Sequence, residues 1–474
     1  MMERKAELTV AHVLSAAGGS LLRGGENTLC AGVSIDSRSI GKDELFFAVE
    51  GERFDGHDFV ATLPERGARG AVVRRGWESA ALLSALPHDF CIIAVDDTFT
   101  ALGDTAQGWR KKLPIPLAAI SGSCGKSTTK EMTASILEVG RKVLKTEGNR
   151  NNLLGLPLTL LGLRSEHQVG VVELGISERG EMTRLAEIAC PDVALLTNIG
   201  IAHIASLGGF QEIVAAKGEL FKSLKPEATE VINFDDLWIV EITAKSKRRQ
   251  VVYSVEEKAD IYLKGFEVTG PDRNVMTARF SVFDAEVACD INGVGSYLLS
   301  NAAAALAVAA ALDVGRDEMA EGLSHFAPMK NRMEPLRVEG ITLLDDTYNA
   351  NPDSMEAALK TLSEMPGRSI AVLGDMLALG DMARNMHRRV GEVVSRLGIA
   401  KVILYGEFRE DVREGAVEGG MDVESAYIVE SKDDAVEILR EIVSEGDVVL
   451  VKGSRGMKME EVVERFRESY SRAG

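Results

Sequence analysis

The sequence predicts an α/β protein of three domains. These are a small N-terminal α/β domain (residues 1–97), a central P-loop ATPase domain with a mostly parallel sheet (98–326), and a C-terminal Rossmann-like domain (327–474). Three observations carry this. At 474 residues the chain is longer than one ordinary core accommodates. From Pro116 onward, apolar runs of buried-strand length alternate with helical patterns, as parallel strands joined by helices require. Near Pro328 the alternation starts afresh, after a stretch of antiparallel character.

Each region justifies its place in turn. In the first hundred residues, "AGVSIDSRSI", "DELFFAVEG", "GARGAVVRR" and "FCIIAVDD" read as short strands. The helical stretch "TFTALGDTAQGWRKKL" leads to Pro114 and Pro116, a natural junction. "PLAAIS", "KVLKT", "VGVVELG", "VALLTNIG" and "TEVINFD" supply the central strands, and "ADIYLKGFEVTG" and "VMTARFSVFDAEVACDI" read as antiparallel additions. "SNAAAALAVAAALDVG" is an Ala-rich helix that Gly315 is expected to close. "ITLLDD", "SIAVLGD", "KVILYG" and "VVLVKG" are the strands of the third domain.

Composition narrows the class of function. Lys and Arg number 54 against 72 Asp and Glu, a formal net charge of −18, which argues against a nucleic-acid-binding body or a polybasic membrane anchor. An anionic small substrate stays compatible, because a cleft can be basic within an acidic protein. The five cysteines are scattered without CxxC spacing, so they read as reduced thiols and not as zinc ligands or disulfides. The start "MMERKAELTVAHVL" has no long apolar core and no run approaches a membrane span, so a cytoplasmic protein is expected.

The chemistry begins at "GSCGKSTTKEM", between an apolar strand and a helix. Backbone N–H groups of such a turn, with the helix N-terminus, hold phosphate oxygens. Gly122, Ser123, Cys124, Gly125, Lys126, Ser127 and Thr128 form the loop, with Lys126 reaching the β- and γ-phosphates and Ser127 offering its hydroxyl to Mg²⁺. The leading gap, GxxGKS, is shorter than the usual GxxxxGKS. Of the carboxylates that could accompany Mg²⁺, Asp345 and Asp346 lie in the third domain, whereas Glu173 ends a strand expected in the P-loop sheet. A bland alternative stands beside each: a surface lysine, a solvated strand-end glutamate.

"KTEGNRNNLLGLPLTLL" then concentrates amides and turn residues beyond what a plain loop needs. It resembles the TxGNxNNxxGxP segment of the Mur ligases, ATP-dependent enzymes that extend the cell-wall peptide precursor, and the short phosphate loop is similar to theirs. "SIDSRSIGKDELFFAVEGERFDGHDFV" resembles that family's uridine-nucleotide-binding segment, and "ELGISERGEM", "LLTNIGIAHI" and "AAKGELF" its central segments. "LLDDTYNANPDSMEAAL", "AVLGDMLALG" and "VLVKGSRGMKMEEVV" are most similar to the branch that adds D-alanyl-D-alanine, and the DNPR motif of the diaminopimelate-adding branch is absent. The resemblance implies that ATP phosphorylates the terminal carboxylate of UDP-MurNAc-tripeptide. The amine of D-alanyl-D-alanine then attacks the acyl phosphate, releasing phosphate and UDP-MurNAc-pentapeptide.

It also implies roles. Lys126 and Mg²⁺ neutralise charge as the carboxylate meets the γ-phosphate. Ser127 and Glu173 hold one metal ion. His203 helps to hold a second, although by itself a histidine there reads as a loop or core residue. Lys217 reads as a solvated helix lysine on its own sequence, and by resemblance as a carbamylated metal-site lysine; both stay open. Thr146, Asn149 and Asn152 are expected at the phosphates and the reacting carboxylate. Asn301 contacts adenine, with Tyr297 and Leu298 where His and Asn are common; Arg332 follows Asn331 where the family has glycine; Asp346 binds the ribose. Ser37, Arg38, Asp55 and His57 are the uridine-diphosphate candidates. Asn349, Asn351, Ser354, Lys452 and Arg455 are candidates for the tripeptide and dipeptide, with Pro352, Asp353 and Ser354 also good helix starters. A monomer is expected. Another carboxylate–amine ligase of the superfamily, such as a folylpolyglutamate synthase, would lack the "DSR…DGHDF" segment, and a motor or regulatory ATPase would need a Walker-B partner in the P-loop sheet.

Overall fold

The computed structural model describes residues 8–51, 53–202, 204–269 and 274–471, and confirms a mixed α/β chain with several mostly parallel sheets. The chain divides into two compact units: residues 1–121 with 140–194 and 219–230, and residues 122–139 with 195–218 and 231–474.

In the first unit, strands Val33–Ser34, Leu45–Phe47, Gly70–Arg74 and Cys91–Val95 pair in parallel, and Ser20–Arg23 adds antiparallel to the last. Their apolar residues, including Phe46, Ala71 and Ile92, are buried, as continuous apolar runs in a covered parallel sheet should be. Helix Thr98–Lys112 starts at Asp97, whose carboxylate accepts the Thr100 N–H at 2.6 Å, and ends on Arg110, Lys111 and Lys112, charges that suit its dipole. Trp109 of this helix is fully buried and its indole N–H donates to the Leu163 carbonyl at 3.0 Å. Strand Val169–Glu173 lies in parallel between Leu117–Ser121 and Val143–Lys145, with Glu173 opposite Ile120. Both the phosphate-loop strand and the carboxylate strand therefore end at the same edge.

In the second unit, helix Lys126–Glu138 packs on Tyr297–Ala311 and Arg316–His325. Close approach is possible because the partners are small: a Cβ on Gly322 would lie 2.3 Å from Ile136 Cα, and the Ser135 hydroxyl donates to the Gly322 carbonyl at 2.6 Å. Strands Ile261–Thr269, Val275–Val282 and Ala285–Asn292 are antiparallel neighbours, turning at Phe283 and Asp284, both at positive φ. A six-stranded sheet runs in the order Glu334–Val338, Ile341–Asp346, Val448–Lys452, Ser369–Leu373, Lys401–Tyr405, Ala426–Val429. Only its first pairing is antiparallel.

Some details differ from expectation. Gly315 does not close the Ala-rich helix, which ends at Ala311; Asp313 makes the left-handed turn, and Gly315 starts the next helix, Arg316–His325. Strands Glu334–Val338 and Ala426–Val429 were not anticipated, the first being broken by Pro335 at an edge, where a missing N–H is harmless.

Candidate active site

The phosphate loop is built by exclusion of side chains. Gly122 has φ +142°, and a Cβ there would lie 1.9 Å from Thr197 Oγ1; Gly125 has φ +78°, and a Cβ there would lie 2.5 Å from Asn301 Oδ1. Only glycine fits either position. Segment 197–200 braces the loop. Asn198 Oδ1 accepts the Cys124 N–H at 2.9 Å, Thr197 Oγ1 donates to the Cys124 carbonyl at 2.6 Å, and Ser123 Oγ exchanges hydrogen bonds with Gly200 N and O at 2.8 and 2.9 Å. Sequence reasoning does not single out Thr197 and Asn198; their only signal is being polar residues directly after the apolar strand in "LLTNIG".

Lys126 opens its helix and curls back over the loop, donating to the carbonyls of Gly122 at 2.8 Å and Ser123 at 3.1 Å. Ser127 and Thr128 are buried in the first turn. Lys217, on helix Phe210–Lys222, is no surface lysine: it is 3% exposed and donates to the Gly122 carbonyl at 3.0 Å. Burial, and then the nearby Lys126 charge, pull its pKa down to about 7. Two lysine amines thus converge on one carbonyl of the phosphate loop. His203 lies outside the described residues.

Within the first unit, Glu173 is 2% exposed. Its partner is Asn151, whose Nδ2 donates to Oε1 at 2.7 Å, while Thr146 Oγ1 accepts the Glu173 backbone N–H at 3.0 Å. Of the three asparagines in "EGNRNN", Asn151 reaches the carboxylate. Asn152 instead caps the following turn, accepting from Leu154 N and Gly155 N, and Asn149 is exposed. Composition could not separate them, because the selection depends on which way each side chain leaves a turn.

On the third sheet, Asp346 pairs with buried Lys452 at 2.5 Å, and Lys452 also donates to the Asn349 carbonyl at 2.9 Å. The neighbouring Asp345 is internal, held by Asn331 Nδ2 at 3.1 Å and Thr347 Oγ1 at 2.6 Å. Asn331 takes φ +61°, the left-handed conformation that asparagine tolerates best after glycine, which accounts for its standing in a glycine's place. Arg332 stacks over Tyr348, 3.9 Å from the ring centre. A shallow depression is lined by Thr128, Asn292, Tyr297, Phe326, Met329 and Arg332. Nearby Asn301 accepts from Thr129 Oγ1 at 3.3 Å, and its Nδ2 is buried without a hydrogen-bond partner. Asn351 and Ser354 cap helix Pro352–Glu364, and the Arg455 N–H donates to Asn349 Oδ1 at 3.3 Å.

In the N-terminal region, Arg38 is exposed and forks onto Asp36 at 2.9 and 2.8 Å, beside Ser37. His57 is buried, with Nδ1 on Asp55 at 2.6 Å and Nε2 accepting the Arg74 N–H at 2.9 Å. Both ring nitrogens are used within the fold, which fixes the proton on Nδ1. Among the described residues no three His, Cys, Asp or Glu side chains gather closely enough to hold a metal ion by themselves, and no helix is long and apolar enough to cross a membrane.

Comparisons with known proteins agree with these features. The Mur ligase middle domain matches residues 120–309, the glutamate ligase domain of the Mur ligases residues 331–455, and the catalytic domain of the Mur ligase family residues 30–85. The chain is 33% identical to the UDP-N-acetylmuramoyl-tripeptide–D-alanyl-D-alanine ligase of Bacillus subtilis (strain 168), covering 94% of each chain. The Escherichia coli (strain K12) enzyme of that name is also 33% identical, over 94% of this chain and 96% of its own. Among solved structures, MurF from Acinetobacter baumannii superposes with a TM-score of 0.88 at 29% identity, covering 98% of this chain and 99% of its own. MurF ligase from Thermotoga maritima in complex with ADP gives 0.81 at 28% identity, over 93% and 98%.

Proposed function

The chain belongs to the Mur ligase family, and we propose on that premise how its residues carry out the ligation. It is an ATP-dependent ligase of peptidoglycan synthesis that joins D-alanyl-D-alanine to UDP-MurNAc-tripeptide. The observation that carries the residue assignment is the phosphate loop, with two lysines, Lys126 and Lys217, on the Gly122 carbonyl.

ATP phosphates lie along the N–H groups of residues 122–127, with Lys126 leaving its carbonyls for the β- and γ-phosphates. We assign the adenine to the neighbourhood of Asn301, whose buried Nδ2 lacks a hydrogen-bond partner. Glu173 in the first unit and Ser127 in the second each offer a hard oxygen of the kind Mg²⁺ takes with phosphate oxygens and water, so each by its chemistry suits that ion. When bound, Mg²⁺ supplies positive charge against the phosphates. Asn151 and Thr146 keep the Glu173 strand end in place. A tripeptide carboxylate oxygen attacks the γ-phosphorus and ADP leaves. The dipeptide nitrogen, as the free amine, then attacks the acyl carbon, and the phosphate oxygen departs with the bonding pair. The positive loop favours both steps because negative charge accumulates in each.

We assign uridine-diphosphate binding to Ser37, Arg38 and the Asp55 turn, with His57 supporting that turn, and amino-substrate binding to Asn349, Lys452 and Arg455. Residues 1–97, 98–326 and 327–474 are the three functional domains of a cytoplasmic monomer. Release of ADP should require tripeptide and D-alanyl-D-alanine together; equal release without the dipeptide would refute ligation. Running the assay with lysine and with diaminopimelate at residue three identifies the natural tripeptide.

A further inference from the structure

We propose that Asp353 is a positioning residue for ligation, a latch that ties the start of helix Pro352–Glu364 to the loop bracing the phosphate loop. Its Oδ2 accepts the Ile201 N–H at 2.8 Å. It occupies the space a side chain on residue 200 would need, since a Cβ on Gly200 would lie 2.0 Å from Oδ2. Gly200 has no positive φ, so the carboxylate, and not the backbone, is what excludes alanine there. A helix-stabilising role does not explain the contact. Helix capping is already done by Asn351 and Ser354, and the Asp353 carboxylate points across the chain to residue 201.

The contact sits in a continuous path. Gly200 exchanges two hydrogen bonds with Ser123 of the phosphate loop, and the next loop residue, Cys124, donates from Sγ to Asn351 Oδ1 at 3.3 Å. Just before the helix, the Ala350 carbonyl accepts from Ser454 Oγ at 3.1 Å and the Asn349 carbonyl from Lys452 at 2.9 Å. Filling the phosphate loop and seating the amino-substrate residues are thus mechanically one event, with Asp353 and Gly200 as its seam. This rests on the ligase reading above.

The test is a double-mutant cycle of Asp353→Ala, Gly200→Ala and the two together, with kcat and KM for each substrate and X-ray scattering with and without a non-hydrolysable ATP analogue. A charge-assisted hydrogen bond removed from a closed site predicts KM for ATP and D-alanyl-D-alanine raised on the order of tenfold. Binding of UDP-MurNAc-tripeptide alone should be unchanged. Nucleotide should lower the radius of gyration of the parent and of neither single variant. The double variant should be no worse than either single one, because the intruding methyl no longer meets a carboxylate. Additive effects in the cycle, or variants that contract normally with nucleotide, would overturn the latch. A parent protein that contracts with nucleotide but releases no dipeptide-dependent ADP would instead count against the ligase reading.

Discussion

At the residue scale, two lysines meet one carbonyl and differ in what holds them. Lys126 is placed for phosphate, so Lys126→Ala should reduce ligation at least ~10²-fold, as loss of a charge-assisted contact in a closed site does, with the thermal midpoint little changed. Near-normal turnover would remove the loop from the mechanism. Lys217 is held near neutrality by burial. Its folded pKa of about 7 lies below the ordinary 10.5, so between those values the unfolded chain carries the extra proton and stability rises with pH. In CO₂-free buffer, urea midpoints should climb across that window in the parent and stay flatter in Lys217→Met. The same neutral amine permits carbamylation, by which a cation becomes an anion. If it is used, Lys217→Ala loses most activity, a short carboxylic acid restores part of it, and Lys217→Glu retains more than Lys217→Ala; no rescue by any short acid would leave Lys217 a neutral donor to Gly122. Sequence places Lys126 on the loop and Glu173 at its strand end, as the structure has them, because strand–loop–helix context fixes those positions. It could not separate Asn151 from Asn149 and Asn152, nor foresee that Asp55 and Arg74 engage both nitrogens of His57, since these depend on side-chain direction.

At the element scale, the phosphate loop works because two glycines clear space for Thr197 and Asn301. Gly122→Ala combines an unfavourable φ with a Cβ only 1.9 Å from Thr197 Oγ1, so it should weaken nucleotide binding about tenfold or more, since ~1.4 kcal/mol of strain already suffices. Isothermal titration with ADP reads this directly, and unchanged affinity would mean the loop is not the phosphate cradle. Most strands were legible from their apolar runs, whose burial in parallel sheets leaves no alternation to misread. Glu334–Val338 and Ala426–Val429 were not, being short edge strands whose pairing is set by neighbours. Gly315 misled for a related reason: it follows the Ala-rich helix closely enough to suggest a terminator, but Asp313 makes the left-handed turn first.

At the scale of the whole molecule, we assign nucleotide chemistry to the central segment and amine choice to residues 327–474. Replacing that last segment with its counterpart from a diaminopimelate-adding ligase should abolish use of D-alanyl-D-alanine while UDP-MurNAc-peptide binding persists, as competition binding would show. A chimera that still prefers the dipeptide would place specificity elsewhere. The net charge of −18 is no obstacle to anionic substrates, because Lys126 on the loop supplies local positive charge. The central claim is that ATP activates a carboxylate, and isotope transfer tests it most directly. With UDP-MurNAc-tripeptide labelled with ¹⁸O in its terminal carboxylate, ligation by an acyl phosphate must deliver one labelled oxygen to the inorganic phosphate released. Mass spectrometry of that phosphate should show the label in step with pentapeptide formed; unlabelled phosphate accompanying normal ligation would contradict the account.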